Sequence, residues 1–480
     1  MLILISRITI IKNISTNTPG KTPVISNNFT IPYYNSYSNT VNPKTQAEIF
    51  NNIYKQGLDI ALQFNYVNDI QITSNFKDLN KTCKIKFPRK LNFDGINLFK
   101  TPTVLTYGPA TIFGRGDRII IELGYVNDFD YYYDNLSKQF IESEFGKQFY
   151  PLKTLFKGYI TRVGINTPIE LECMDQMFGL QQIRTKYPTI NDNGKTTLIN
   201  LLSRLFDSGK NSNNNNGPNY QFDLNPSPIF GINSATFQRN DNVIPVIMPN
   251  GLNTGLFTYN TQKEKSIAEI LVDLKSKLGL ISYFDDFGNL HIELPFMNSN
   301  LITNVTQLVF EKQLINYDNM RLINANETPI KIIFSSKSSI PGTPNKDNTL
   351  YANNPNENLK YVGDSYGNSI TVNGPNDLSQ TDLDNYAQIL LQAYKYTGYE
   401  KGSSFTTFGE PAIHIGQGVY LASIDNALTE RGGYYFVTGV NRSFGVDGYK
   451  QTIEVGISLG NNPSNFTIIN PNKIIKTYSI

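Results

Sequence analysis

Apolar residues alternate with polar ones toward the C-terminal end of the chain, and glycines interrupt the alternation. From Gly409 to Gly456 the apolar positions recur at or near a period of two, which is typical of half-buried strands. These positions are Ile413 and Ile415, Val419 and Leu421, Phe436 and Val440, and Ile453 and Val455. Glycines at 416, 418, 432, 433, 439 and 448 fit tight turns or bulges. The pattern predicts three or four short strands in a compact antiparallel barrel or sandwich.

The same period returns in the first third of the chain. It predicts strands over 69–87, 115–125 and 155–175, the last being a strand pair that ends at Asp175. The apolar N-terminus MLILISRITIIK lacks the charged start and the cleavage site of a signal peptide, so it predicts an edge strand. Cys83 in TCKIKF and Cys173 in IELEC lie on apolar strand faces, which favours two buried thiols over a disulfide.

Helical spacing marks the middle of the chain. Leucines recur at helical intervals over 195–206, and a second amphipathic helix is predicted over 265–280 with Ser266 as its N-cap and Gly279 at its end. Two strands then turn at 286–288. The fold class is therefore mainly β with an α+β middle, in which two similar antiparallel β-barrel domains flank the smaller region. The predicted domains are an N-terminal strand and extended arm (1–59), a first β-barrel (60–175), the α+β region (176–324) and a second β-barrel (325–480) with a helix over 381–397.

The two strand-rich parts show the pattern of an internal repeat. The segment 116–121 (GDRIII) matches 416–421 (GQGVYL), and 160–163 (ITRV) matches 437–440 (VTGV). Any two hairpins can share such patterns, but the matching order of the segments favours a repeat. Three copies of a chain with two similar barrels would present six similar barrels around one axis.

Composition limits the classes of partner. The net charge is +2, so no global field attracts nucleic acid or an anionic membrane. No apolar run reaches the roughly 20 residues that a membrane-spanning helix needs. Charged residues make up only 17% of the chain, while 29 Tyr and 29 Phe supply the aromatic side chains that are enriched at protein interfaces. These features favour a soluble protein that works in a stable assembly.

Candidate catalytic groups are few. The chain has two histidines, His291 and His414, and both alternate with apolar neighbours, which predicts surface-facing positions on strands. Neither has a nucleophile motif nearby, and His/Cys ligands for a metal are lacking. No catalytic, cofactor-binding or metal-binding residue is assigned.

One acidic group remains as an alternative. Asp128, Asp130 and Asp134 lie together in NDFDYYYDN, with Glu142 and Glu144 beyond them. Paired carboxylates could hydrolyse a glycoside, or oxygen ligands could hold a calcium ion, although the spacing is not that of an EF-hand. A solvated aromatic loop in an interface is the favoured interpretation.

Several segments, taken in order, resemble the tail-hub (baseplate-hub) family of tailed phages and contractile injection systems. They are 155–175 (LFKGYITRVGINTPIELECMD), 197–206 (TLINLLSRLF), 266–293 (SIAEILVDLKSKLGLISYFDDFGNLHIE), 403–422 (SSFTTFGEPAIHIGQGVYLA) and 432–456 (GGYYFVTGVNRSFGVDGYKQTIEVG). Their order and spacing carry the resemblance. The arm at 13–48 and the insertions at 127–154 and 340–378 are longer than the family's minimal form needs, so their baseplate contacts stay open.

The resemblance implies a structural, non-enzymatic hub in a virion tail that is assembled in the host cytoplasm. A homotrimeric ring of pseudo-six-fold symmetry would join the hexameric tail tube protein to a separate spike or tip protein, beside other baseplate proteins. DNA would pass through the lumen without sequence recognition, and no membrane span or cofactor is implied. The strand edges at 116–124 and 416–421 are the expected interfaces. A tail-associated cell-wall or capsule hydrolase and a carbohydrate-binding tip protein are the alternatives.

Overall fold

The computed structural model is mainly β, and four helices lie among the residues it describes. Those residues are 2–12, 60–64, 67–76, 78–87, 92–93, 96–97, 113–127, 131–134, 139–142, 153–164, 168–185, 196–210, 221–223, 243–248, 259, 264–278, 280–286, 288–293, 304–321, 331–337, 349–350, 369–373, 403–424, 432–460 and 467–469. The helices are α1 (Met177–Leu180), α2 (Leu198–Lys210), α3 (Ile267–Leu278) and α4 (Phe310–Gln313).

The strands are numbered in chain order. The first eleven are β1 (Leu2–Lys12), β2 (Ile60–Phe64), β3 (Asp69–Asn75), β4 (Thr82–Phe87), β5 (Asn92–Phe93), β6 (Ile96–Asn97), β7 (Arg118–Asn127), β8 (Tyr131–Asp134), β9 (Gln139–Glu142), β10 (Lys153–Gly164) and β11 (Ile169–Asp175). The middle strands are β12 (Gln221–Asp223), β13 (Val243–Ile247), β14 (Ile281–Phe284), β15 (Leu290–Glu293), β16 (Asn304–Val309) and β17 (Leu314–Asn319). The last are β18 (Lys331–Lys337), β19 (Thr349–Leu350), β20 (Ser369–Asn373), β21 (Ser403–Phe408), β22 (Gly418–Ala422), β23 (Gly433–Gly445), β24 (Gly448–Gly460) and β25 (Thr467–Ile469).

One large sheet of 14 strands organises the protein. Its main path runs β17-β21-β24-β23-β3-β4-β11-β10-β7-β1-β2, while β22 pairs with β23 and β16, and β16 also pairs with β25. We call β1 to β4, β7, β10 and β11 the first unit, and β16, β17 and β21 to β25 the second unit. The antiparallel pairing of β23 with β3 joins the two units edge to edge.

The predicted strands of the first unit are confirmed, including the end of β11 at Asp175. Buried and solvent-facing residues alternate along β3, β4 and β11, as the period of two requires. Cys83 and Cys173 are both buried free thiols, as predicted, and they lie directly opposite each other in the β4–β11 register.

The N-terminal strand is confirmed, but its predicted edge position is wrong. Strand β1 lies between β7 and β2 and pairs with both. Ile8 and Ile10 are fully buried, while Arg7 makes an ion pair of 3.5 Å with Glu122 on β7. Because β2 returns along β1 after the segment 13–59, β1 is an interior strand.

Smaller sheets occupy the remaining segments. The middle region holds the sheet β12-β13-β15-β14, packed with α2 and α3 around a core of its own. Strands β18, β19 and β20 form a three-stranded sheet, so the predicted loop 340–378 contains two strands. The predicted aromatic loop 127–154 likewise contains the hairpin β8–β9.

Helix α3 begins as the sequence predicts. The Ser266 hydroxyl accepts a hydrogen bond of 3.2 Å from the Glu269 amide, and the Glu269 carboxylate accepts one of 2.6 Å from the Ser266 amide. This reciprocal pair is a capping box. The helix ends at Leu278, one residue before Gly279. The described helices include none long and apolar enough to cross a membrane.

Among the described residues the path of strands runs open from β17 to β2, so the closed barrels stay a prediction. Strands β16 and β17 lie before residue 325 and yet pair with β22 and β21 of the second unit. The arm 13–48 and the helix expected over 381–397 lie outside the described residues.

Candidate functional site at the repeated turns and the junction

The two predicted repeat segments make the same turn. Gly116 and Gly416 have positive φ angles of 91° and 78°, a backbone conformation that glycine adopts without strain. The Gly116 amide donates to the Ile160 carbonyl at 2.8 Å, and the Gly416 amide donates to the Val437 carbonyl at 3.0 Å. Each of the strands β7 and β22 begins two residues later.

The neighbouring hydrogen bonds repeat as well. The Ile160 amide donates to the Asp117 carbonyl at 2.9 Å, and the Val437 amide donates to the Gln417 carbonyl at 3.0 Å. One residue further along β10 and β23, the register shifts by a bulge at Thr161 and, in the second unit, at Thr438. These two threonine hydroxyls donate to the carbonyls of Glu172 and Glu454 respectively. The repeat is therefore one of backbone geometry as well as of sequence.

The units meet at a cluster of buried charges. Lys81 precedes β4, Asp286 follows β14, and Arg442 lies in β23, so the cluster joins the first unit, the middle region and the second unit. Their exposed fractions are 5%, 4% and 3%. The Lys81 ammonium forms an ion pair with the Asp286 carboxylate and donates to the Leu155 carbonyl.

Arg442 completes this arrangement from the opposite side. Its Nη2 atom lies 3.4 Å from Oδ2 of Asp286 and also donates to the Ile413 carbonyl. Burial lowers the pKa of Lys81 well below its usual range, and the charge of Arg442 lowers that pKa further. The Asp286 carboxylate contacts both basic groups, and the charges of Asp175 and Asp285 oppose the lowering of the Lys81 pKa. Buried charges of this kind need such partners.

His414 borders this cluster, and its predicted place on a strand surface is wrong. It lies in the turn before β22, where Nδ1 contacts the Asp286 carboxylate. Burial, followed by the charges of Arg442 and Lys81, lowers the pKa of His414 to about 3. The imidazole is therefore neutral at neutral pH, and its Nδ1–H group can donate a hydrogen bond to the Asp286 carboxylate.

Asp175 ties the end of β11 to the same place. Its carboxylate accepts hydrogen bonds from the Lys81 amide at 3.0 Å and from the Met177 amide at 3.1 Å. Burial raises the pKa of Asp175 to about 7, against the opposing effect of these two amides. A buried carboxyl group thus connects β11, α1 and the start of β4.

His291 lies in a second polar group, on the middle sheet, and is only partly exposed. Its Nε2 atom lies 3.1 Å from the Asp285 carboxylate, and its ring stacks on Tyr283 with a centroid distance of 4.7 Å. Burial alone would lower the pKa of His291, but the hydrogen bonds with Asp285 and Glu293 outweigh it and raise that pKa to about 10. The predicted position on a strand, between the buried Leu290 and Ile292, is confirmed. The ring is nevertheless largely covered, because it is held between aromatic and acidic neighbours.

Tyr283 connects this group to the repeated turn of the second unit. Its hydroxyl donates to the Glu293 carboxylate at 2.9 Å. A Cβ atom added to Gly416 would lie 2.1 Å from the same hydroxyl, whereas one added to Gly116 would have no heavy atom within 4 Å. The two turns therefore share a backbone but differ in what packs against them.

The cluster has the properties of a structural element. Its charged groups Lys81, Asp286 and Arg442 are buried and paired with one another. Within the part of the chain that the structure describes, no group of three or more His, Cys, Asp or Glu side chains is arranged to hold a metal ion. A surface depression is lined by Arg115, Gly116, Phe178, Gln181 and Gln182, none of which is a nucleophile or a general base of the usual kinds.

The acidic candidates of the sequence lie elsewhere. Asp128, Asp130 and Glu144 lie outside the described residues. Asp134 is opposite Gln139 and Glu142 is opposite Tyr131, so these two acids stand at opposite ends of the hairpin β8–β9. The segments 116–124 and 416–421 include the two repeated turns, but their prediction as strand edges is wrong. Strand β7 pairs with both β1 and β10, and β22 pairs with both β16 and β23.

The buried cluster itself was missed from the sequence. One feature of the sequence indicates the cluster. Arg442 lies on the same face of β23 as Val440 and Phe444, at a spacing of two residues, and this face is buried. A charge at an inward position of a strand must have a buried partner.

No protein-family model and no curated protein matches the chain. Solved structures to which the chain is similar include a tail protein from Neisseria meningitidis MC58, at 10% identity and a TM-score of 0.46, covering 85% of this chain and 97% of that one. A 43 kDa tail protein of prophage MuSo2 from Shewanella oneidensis has 12% identity and a TM-score of 0.41, covering 82% and 93%. A component of the E. coli type VI secretion system has 10% identity and a TM-score of 0.38, covering 83% and 74%.

Proposed function

We propose that this protein is a structural hub of a phage tail or baseplate, in which three copies form a ring of pseudo-six-fold symmetry. The observation that carries the proposal is the duplication of one turn, with Gly116 bonded to Ile160 in the first unit and Gly416 bonded to Val437 in the second. The ordered sequence segments that resemble tail hubs support the same conclusion.

Duplication gives the chain a way to match two symmetries. Three copies of two similar units provide six similar surfaces. Each of the six subunits of a hexameric tail tube can then contact one of them, whereas three surfaces would leave three tube subunits without a contact. The opposite face of the ring would then carry a three-fold spike or tip protein. On this proposal each unit is a tube-like β domain, and the middle region lies between them in sequence.

The buried cluster suits a scaffold that must keep two units in a fixed relation. Lys81, Asp286 and Arg442 come from the three parts of the chain and are paired with one another out of contact with solvent. Sliding one unit against the others would separate these buried charges, which is strongly unfavourable. The cluster therefore makes the hub rigid. On this proposal the hub acts without catalysis and lines a path for DNA in the virion tail.

The oligomeric state tests this function. We expect sedimentation velocity at micromolar concentration to show a species of three copies, and negative-stain averages to show a three-fold ring with six similar lobes. A protein that stays monomeric at all concentrations would overturn the hub.

The hydrolase alternative calls for a separate experiment. The purified protein would be applied to peptidoglycan and capsule zymograms beside the variants Asp128→Ala and Asp130→Ala. We expect no clearing with any of the three. Clearing by the natural protein that both variants lose would favour the hydrolase.

A further inference from the structure

Among the described residues, strand β17 ends the large sheet with an open edge. It pairs with β21 on one side, and no strand among the described residues pairs with its other side. Five of its six residues are exposed, and they include the apolar side chains of Ile315 and Tyr317 at 43% and 40% exposure. Open edges that carry exposed apolar residues are places where another strand can add.

The internal repeat identifies what covers the corresponding edge of the first unit. Both units have the same order of strands: β3-β4-β11-β10-β7 in the first and β17-β21-β24-β23-β22 in the second. Strand β17 therefore corresponds to β3. The edge of β3 is covered by β23, in antiparallel register from Gly439 opposite Asn75 to Gly445 opposite Asp69.

The strand that corresponds to β23 is β10, and within the described part of the chain it too has an open edge. In β23 the first residues pair with β22 and the later ones with β3. In β10 the residues from Lys153 to Tyr159 pair with β7, and Ile160 bonds to Gly116 and Asp117 before that strand. From Arg162 to Gly164 the described pairing is with β11 alone. Arg162 in that last part has a side chain that is 73% exposed.

We propose that the outer edge of β10, from Arg162 to Gly164, of one copy adds to the edge of β17 in a second copy of this chain. The contact reproduces between copies the pairing that β23 and β3 make within one copy. It is a head-to-tail contact between two different surfaces. Such a contact forms a closed ring when the rotation from one copy to the next divides a full turn evenly. Three copies would then hold six junctions, alternately within and between chains.

One side-chain contact at the internal junction supports this assignment. Asn75 on β3 donates to the carboxylate of Glu454 on β24 at 2.5 Å. The residue of the first unit that corresponds to Glu454 is Glu172, because each accepts a bond from the threonine at the bulge through its own carbonyl. The Glu172 side chain is 40% exposed and pairs with Arg162 at 3.4 Å. A strand that adds at this edge would therefore meet an exposed ion pair where Asn75 meets Glu454.

A pair of matched variants tests the edge of β17. Ile315→Lys places a charge on the exposed edge strand, and Val272→Lys places the same charge on the exposed face of α3, where Val272 is 47% exposed. Sedimentation at a concentration at which the natural protein is trimeric should show at least a tenfold weaker association for Ile315→Lys and none of this loss for Val272→Lys. Equal association of both variants with the natural protein would overturn the contact.

Cross-linking identifies the partner surface. A benzophenone amino acid in place of Tyr317 is activated by light in the full-length protein, and the cross-linked peptides are mapped by mass spectrometry. Links to residues 160–170 of another copy support the proposal. A trimer that links elsewhere overturns the contact but keeps the proposed function, on which this inference rests. A natural protein that never associates overturns both.

Discussion

Lys81 and Asp286 form a buried ion pair between the first unit and the middle region, and Arg442 of the second unit contacts the same carboxylate. Because one carboxylate serves two buried cations, it cannot be removed without leaving both in a medium of low polarity. The relation of the three parts of the chain therefore depends on this group more than on any surface ion pair.

Removal of that carboxylate gives the first prediction. We expect Asp286→Ala to lower the free energy of unfolding by about 3–5 kcal/mol. Since the chain has 29 Tyr and no Trp, urea unfolding can be followed by tyrosine fluorescence.

The matched control is a carboxylate in an exposed pair. Glu170 lies 3.8 Å from Lys86, and their side chains are 53% and 42% exposed. Glu170→Ala should cost about 0–1 kcal/mol, because solvent screens such a pair. A loss for Asp286→Ala no larger than that for Glu170→Ala would contradict the structural role of the cluster.

The capping box of α3 gives a second prediction. Ser266→Ala removes the hydroxyl that accepts the Glu269 amide and should lower stability by about 1 kcal/mol. Ser276 serves as the control in the same helix, because its exposed hydroxyl donates to the Asp273 carbonyl and caps nothing. Ser276→Ala should be neutral or slightly stabilising, since Ala has the higher helix propensity. Equal losses at the two serines would mean that the capping box contributes nothing.

Local features of this fold could be predicted from the sequence, and long-range ones could not. Ser266 as a cap and the end of β11 at Asp175 depend on residues within a few positions. The apolar residues recur every three to four positions in a helix and every two in a strand, and these periods mark such local features directly. The pairing of β23 with β3 joins opposite ends of the chain and leaves no local pattern. His414 was misplaced for the same reason, because its carboxylate neighbour Asp286 lies 128 positions earlier in the chain.

The two histidines predict opposite effects of pH on stability. For His291 the pKa is raised to about 10 in the folded protein from an ordinary value of 6.5, so the folded state keeps a proton that the unfolded state releases. Stability from this group is complete below pH 6.5 and is lost as the pH rises toward 10, by on the order of 3–5 kcal/mol in total. His291→Gln should remove that fall, as urea unfolding at pH values from 6 to 10 would show.

His414 is the control, because its pKa is lowered to about 3 from 6.5. Its unfolded state takes up a proton first as the pH falls, so its effect on stability is confined to the range between pH 6.5 and 3. His414→Gln should therefore leave the fall between pH 7 and 10 unchanged. If both variants abolish the fall in the free energy of unfolding between pH 7 and 10, that fall does not come from His291.

The two repeated turns offer the final comparison, because they share a backbone conformation and differ in packing. Gly116→Ala introduces only the strain of a side chain at a φ of 91°, about 1–2 kcal/mol, since no atom lies within 4 Å of the new Cβ. Gly416→Ala introduces similar strain at a φ of 78° and also brings the Cβ to 2.1 Å from the Tyr283 hydroxyl. Tyr283 must then leave its hydrogen bond with Glu293, and a buried carboxylate loses a donor.

We expect Gly416→Ala to cost at least about 1 kcal/mol more than Gly116→Ala in the same urea titration. Equal losses would mean that the middle region does not pack on the second turn, and the rigid link between the middle region and the second unit would then depend on the Asp286 cluster alone.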